Sequence, residues 1–200
     1  ATNICICIGS HAGFTQELTR LIEEFCEKYN AVVFCDHTSG YKGKYRLLYP
    51  ILATQQINDE NIKLDLLIHL GEVSGDYYTQ SKLLSSKELW RVCEDGQIRD
   101  YFKKTRFVFQ MGEEYFFSQY VSDKFTPDTS YFRQCQAMLS KIRTHLPELP
   151  FSNIWMASIL SSQLPENSVI HFGILNSLRA WNFFEIPLSV KSYSNVGGFG

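Results

Sequence analysis

Apolar positions fall along this chain in two alternating rhythms. Residues 3–8, 31–35, 64–70, 88–93 and 105–110 are short apolar runs rich in β-branched and aromatic side chains, the first ending at Gly9 and the third at Gly71. Runs of this length predict strands, the first two buried within a sheet. Between the first two, Leu18, Leu21, Ile22, Phe25 and Tyr29 recur at helical spacing, with Thr15 placed to cap them. Strand, helix, strand in this order predicts parallel pairing through right-handed crossovers. Residues 47–57 predict a helix interrupted near Pro50, residues 77–84 a helix, and residues 112–121 a short one. Asp128 is placed to cap a longer helix whose apolar face is Tyr131, Cys135, Met138, Leu139, Ile142 and Leu146. The sequence Pro147-Glu-Leu-Pro150 then breaks the pattern. Beyond it, Ser152 caps a helix carrying Ile154, Ala157, Ile159 and Leu160, ended by Pro165. A strand at 168–173, a turn at Asn176-Ser177, a short helix, a second strand and a glycine-rich stretch follow.

The alternation predicts an α/β fold: a Rossmann-like three-layer domain with a mainly parallel sheet over residues 1–147. Residues 148–200 read as the incomplete start of a second α/β domain. Buried strands followed by glycines normally lead into a helix, whose N-terminus the glycines open to a ligand. None follows Gly200, so the chain reads as a piece of a longer protein.

Composition removes several function classes. The 200 residues are 44% hydrophobic and 20% charged, with a net charge of −2 and no basic run. This leaves no electrostatic footprint for nucleic acid and no polybasic membrane patch. No apolar run reaches the roughly 18 residues of a membrane span, and Ala1-Thr2-Asn3 lacks the positive region of a secretory leader. The six cysteines form no Cys-x-x-Cys pair and lie mostly in apolar patterns. A reducing, cytoplasmic setting without a zinc site is the expectation.

Few residues carry candidate chemistry. Gly9-Ser-His-Ala-Gly13 after the first strand is either a phosphate-cradling turn, with Asp36 meeting a ribose hydroxyl, or an ordinary βα turn. The Gly-x-Gly-x-x-Gly spacing is not there. His37 beside Asp36 is either half of an acid/base pair or a solvated loop residue, and the second is favoured. His69 reads as a hydrogen-bonded core histidine, and Glu113-Glu114 as acidic residues suited to a helix start. Phe107, Phe109, Tyr115, Phe116 and Phe117 have no basic residues interleaved and read as core. Asn176 and Ser177 differ, because the carboxyl end of a parallel strand is where ligands bind in such sheets.

Two stretches carry a family resemblance. Asn176-Ser177-Leu178 after an apolar strand, with Tyr193-Ser194-Asn195-Val196-Gly197 and Gly200 downstream, resembles the C-terminal cofactor domain of thiamine-diphosphate enzymes, and most nearly the menaquinone-pathway synthases. Asp65-Leu-Leu-Ile-His-Leu-Gly71, with Trp90-Arg-Val and Glu94-Asp-Gly96 to Arg99-Asp100, resembles the central domain of the same family. The resemblance implies a central α/β domain followed by the opening of a pyrophosphate-binding domain. It implies cofactor contacts from Asn176, Ser177, Asn195, Gly197 and Gly198, and a substrate contact from Arg179. In the full-length enzyme it implies thiamine diphosphate with Mg2+, a 2-oxoacid substrate and an acceptor. It also implies homo-oligomers formed through domains outside this chain. None of these ligands is expected on the fragment alone, which is expected to be inactive. Trp181 and Val196 stand where the family has arginines that grip carboxylates, which points away from the menaquinone substrates. A free-standing nucleotide-binding or structural domain is the alternative.

Overall fold

In the computed structural model, residues 3–55, 64–74, 76, 86–100, 103–121 and 123–194 are described. Strands β1 (Ile4–Ile8), β2 (Ala31–Cys35), β3 (Arg46–Leu48), β4 (Leu66–Leu70), β5 (Glu88–Cys93) and β6 (Thr105–Gln110) form one sheet. Its order is β3-β2-β1-β4-β5-β6, and every pairing is parallel. Helices α1 (Gln16–Tyr29) and α3 (Glu113–Val121) cover one face, and α2 (Pro50–Thr54) and α4 (Ser130–Thr144) the other.

The period-two alternation of strands explains how both faces are filled. Ile4, Ile6 and Ile8 point to the α1 side, against Leu21, Ile22 and Phe25, while Cys5 and Cys7 point to the α4 side with Cys135 and Leu139. Burying a side chain such as Ile6 completely contributes roughly 1.5–3 kcal/mol. All five residues of β1, β2 and β4 are buried, so these strands read as continuous apolar runs.

Local signals set most boundaries. Thr15 caps α1, its Oγ1 accepting from Leu18 N at 2.9 Å. Near Pro50 the expectation fails. Residues 46–48 form a short edge strand, and Pro50 opens α2 instead of interrupting a helix. Proline suits a first helical turn because its missing N–H would be unpaired there anyway. Asp128 accepts from Ser130 N at 2.9 Å just ahead of α4, whose buried face is Tyr131, Cys135 and Leu139, while Leu146 is exposed. The helix expected at 77–84 lies outside the described residues.

After residue 147 come α5 (Asn153–Leu160), β7 (Val169–Phe172), α6 (Asn176–Trp181) and β8 (Lys191–Ser194). Ser152 caps α5 through Trp155 N at 3.2 Å. Strands β7 and β8 pair in parallel as a separate two-stranded sheet, with α6 in the connection.

Candidate functional site

In the large sheet the chain runs outward in one direction from β1 and in the other from β4. That reversal places a crevice at the carboxyl ends of these two strands, the usual ligand position in open α/β sheets. Here the crevice is laced shut. Ser10 and Glu72 exchange both backbone hydrogen bonds at 2.8 Å, and Gly9 N donates to Leu70 O at 3.0 Å. Gly71 makes this approach possible at φ +69°, since a Cβ there would lie 2.5 Å from the Ser10 carbonyl oxygen. His11 is equally committed: Nε2 bonds Glu113 at 2.9 Å, Nδ1 accepts from Gly13 N, and the ring stacks on Phe14. The Gly9–Gly13 segment is therefore tied to its neighbours and does not form a phosphate cradle.

Behind this seam lies Arg91, the largest fully buried side chain among the described residues. Its guanidinium bonds His69 Nδ1 at 2.9 Å, the Gly71 carbonyl at 3.1 Å and Glu72 at 3.2 Å. Burial, with Arg91 second, lowers the His69 pKa to about 3. His69 is the hydrogen-bonded core histidine that its strand pattern predicts.

Asp36 does not face a ribose position. It caps the 3-10 turn His37–Ser39, accepting from Thr38 N at 2.8 Å, Thr38 Oγ1 at 2.6 Å and the Ser74 hydroxyl. Burial raises its carboxyl above the ordinary range, against the pull of those bonds. His37 is not the solvated loop residue that its local sequence favours: it is 2% exposed. Its imidazole Nε2 lies 3.1 Å from the Trp181 carbonyl and 2.9 Å from that of Phe184. Its backbone N donates to Asn182 Oδ1 at 3.1 Å, and its carbonyl accepts from Ser192 Oγ at 2.6 Å. Burial, with Arg46 second, lowers its pKa to about 4.

Charged pairs reinforce the same junction. Arg46 and Arg143 hold Glu185 at 2.7 and 3.1 Å. Burial pushes that carboxyl up, but the two arginines outweigh it and the pKa is lowered. Arg179 Nε donates to the buried Asp76 at 3.2 Å. No sequence motif marks Asn182, Glu185, Ser192 or Asp76 for these roles. Their partners lie between 42 and 155 residues away.

The turn between β7 and α6 places Asn176 and Ser177 at the carboxyl end of β7, both exposed. Leu178 N returns to Gly173 O at 3.0 Å, and Leu175 is held at φ 64°. A non-glycine residue in that region costs about 1–3 kcal/mol and persists only where the surroundings enforce it. Trp181, at the other end of α6, packs its ring 5.4 Å from Phe172. Asn195, Gly197 and Gly198 lie outside the described residues. Among the described residues no group of three or more His, Cys, Asp or Glu is arranged to hold a metal ion. None of their helices is long and apolar enough to cross a membrane. Of the aromatics read as core, Phe107 and Tyr115 are exposed, while Phe116 and Phe117 are buried.

No family model matches the chain. The chain is 34% identical over 56 residues to the 2-succinyl-5-enolpyruvyl-6-hydroxy-3-cyclohexene-1-carboxylate synthase of Christiangramia forsetii. The matched stretch is 28% of this chain and 10% of that protein's length. It establishes distant similarity over a short stretch, and the parallel α/β fold is compatible with it.

Proposed function

We propose that the chain is part of a thiamine-diphosphate-dependent enzyme acting on a 2-oxoacid. Residues 1–147 form its central α/β domain and residues 148–200 the opening of its pyrophosphate-binding domain. The observation that carries this is the parallel β7–α6–β8 unit, which presents Asn176 and Ser177 at a strand's carboxyl end. The sequence similarity to a synthase supports it. So does the surface of residues 148–194. Parallel strands are normally covered on both faces, yet Val169 and Tyr193 are exposed, as are Phe151, Ile154, Ile159 and Leu160 on and beside α5. Further strands and helices of a pyrophosphate-binding domain would cover these groups.

Thiamine diphosphate, when bound with Mg2+, supplies the carbon–carbon bond chemistry. This chain's share is binding and orientation. Asn176 and Ser177, with Asn195, Gly197 and Gly198, would line the diphosphate through amide, hydroxyl and backbone N–H donors. Arg179, which donates from Nε to Asp76, would contact the substrate from the same short helix. Trp181, where the family carries an arginine, offers no cation, which argues against the menaquinone-pathway substrates. Oligomers would form through the parts of the enzyme outside this chain.

The reading frame downstream of Gly200 provides the test. The expected continuation is Ile-Asp-Gly, then an Asp-Gly and a later Asn at magnesium-ligand spacing, with calorimetric binding of thiamine diphosphate and Mg2+ to the complete product. A stop codon after Gly200 overturns the proposal. Turnover of a 2-oxoacid by the 200-residue chain alone would overturn the division of labour between domains.

A further inference from the structure

His37 belongs to neither the cofactor turn nor the strand-end crevice, yet it is 2% exposed and tied to the far end of the sequence. It follows β2 in a 3-10 turn whose three residues are all buried and whose cap, Asp36, spends its carboxylate on Thr38 and Ser74. Four hydrogen bonds leave this one residue for the segment from Trp181 to Ser192. Its ring also lies 5.7 Å from that of Phe172 on β7.

The tautomer follows from the partners. Both groups facing Nε2 are carbonyl oxygens, which only accept, so Nε2 carries the proton. In the neutral ring Nδ1 is then bare, and it is buried with no hydrogen-bond partner among the described residues. The Trp181 and Phe184 carbonyls belong to the last residue of α6 and the turn after it, and the first of them also accepts from Phe184 N at 3.1 Å. A histidine from the first sheet thus terminates the helix whose opposite end carries Asn176 and Ser177. At 1.5 Å per residue those two ends are only about 9 Å apart.

We infer that His37 is a positioning residue: its neutral, Nε2-protonated imidazole fixes the carboxyl end of α6 on the first sheet and thereby sets where Asn176 and Ser177 stand. The functional half of this rests on the diphosphate reading of that turn. The anchor has a built-in acid limit. A second proton on Nδ1 would place a charge and an unpaired donor in a buried pocket. The charged groups facing it are Arg46 from β3, which opposes that proton, and Glu185 from the segment after α6, which favours it. Glu185 is itself held by Arg143 of α4, and the buried Asp36 is the preceding residue. Burial outweighs them and keeps the ring neutral down to a pH of about 4.

Hydrogen exchange of the 200-residue chain without any cofactor tests the anchor. Asn182, Phe183 and Phe184 report it, because their amides donate to Leu178, Ala180 and Trp181. His37→Phe keeps a ring but removes the donor. Exchange at these amides should rise about tenfold or more, with β1, β2 and β4 unchanged. His37→Gln returns an N–H near the Nε2 position, and exchange should stay within about threefold of the parent. Equal behaviour of the two variants, or a rise spread across the whole sheet, overturns the inference. Should His37→Phe not fold, imidazole 15N shifts of the unaltered chain decide: an Nε2–H tautomer at pH 7 supports the anchor, and an Nδ1–H tautomer overturns it. The cofactor reading fails or stands separately. If the full-length enzyme binds thiamine diphosphate and His37→Phe leaves that affinity unchanged, positioning of Asn176 and Ser177 is refuted while the cofactor reading survives. If the enzyme binds no thiamine diphosphate, the exchange result still judges the anchor.

Discussion

Replacing Gly71 by alanine tests the closure of the strand-end crevice, and Gly40 provides a matched control. Both glycines have nearly the same φ, +69° and +67°, but a Cβ at Gly40 meets nothing within 4 Å. Left-handed backbone costs an alanine roughly 1–2 kcal/mol. The stiffer unfolded chain returns about 0.4–1 kcal/mol of that. Gly40→Ala should therefore lose only about 0.5–1 kcal/mol. At Gly71 the new Cβ would lie 2.5 Å from a backbone oxygen, Ser10 O, and no side-chain rotation relieves that. Pushing the strands apart breaks the paired Ser10–Glu72 hydrogen bonds, worth roughly 1 kcal/mol each. Gly71→Ala should lose about 3 kcal/mol in all, which for a chain of this size lowers Tm by about 6–12 °C. Urea unfolding followed by circular dichroism measures both variants, with the midpoint moving at constant slope. If the two losses agree within about 0.5 kcal/mol, the close approach is not holding the crevice shut and the reasoning fails.

Three further outcomes follow from the same geometry. NAD, FAD, AMP and ADP should leave Tm unmoved, because the Gly9–Gly13 segment is tied down and Asp36 is turned inward; a shift of several degrees would restore the nucleotide-binding alternative. Acidification should weaken the fold between pH 6.5 and about 4, because His37 titrates at about 4 when folded and near 6.5 when unfolded, so the unfolded chain takes up the proton first. The His37 share reaches about 3 kcal/mol, and His69 adds in the same direction while the raised Asp36 carboxyl offsets part; urea midpoints that fall equally in His37→Gln would refute that assignment. Arg179→Met should cost about 1 kcal/mol, a value discounted because that side chain is 32% exposed, and Asp76→Asn in the same chain should recover part of it; strict additivity in the double-mutant cycle would show that the pair contributes nothing.

What the sequence discloses here divides by distance along the chain. Strands β2, β5 and β6 run over the residues that their apolar runs predict; full burial in a parallel sheet gives β2 its continuous apolar signature, while β5 is buried only at Leu89, Arg91 and Val92 and no residue of β6 is buried. Strand β3 escapes the same logic: three residues on a sheet edge are too few to show a period, and the adjacent Pro50 suggests a break where it begins a helix. Arg91 carries no sequence signal for its place: it is fully buried because His69, the Gly71 carbonyl and Glu72 meet it.

The candidate site shows the same division at higher stakes. The Asn176-Ser177 turn is legible because strand, turn and helix are contiguous. The junction that holds it is not, since Asp36-His37 resembles any polar dipeptide after a strand until Asn182 and Ser192 close over it from 145 and 155 residues away. A buried polar group is tolerated only when its partners arrive, so the burial of His37 was decided by residues that no local window contains. Position on a sheet edge locates a candidate ligand turn, while the groups that aim it are found only by asking where each buried donor and acceptor is satisfied.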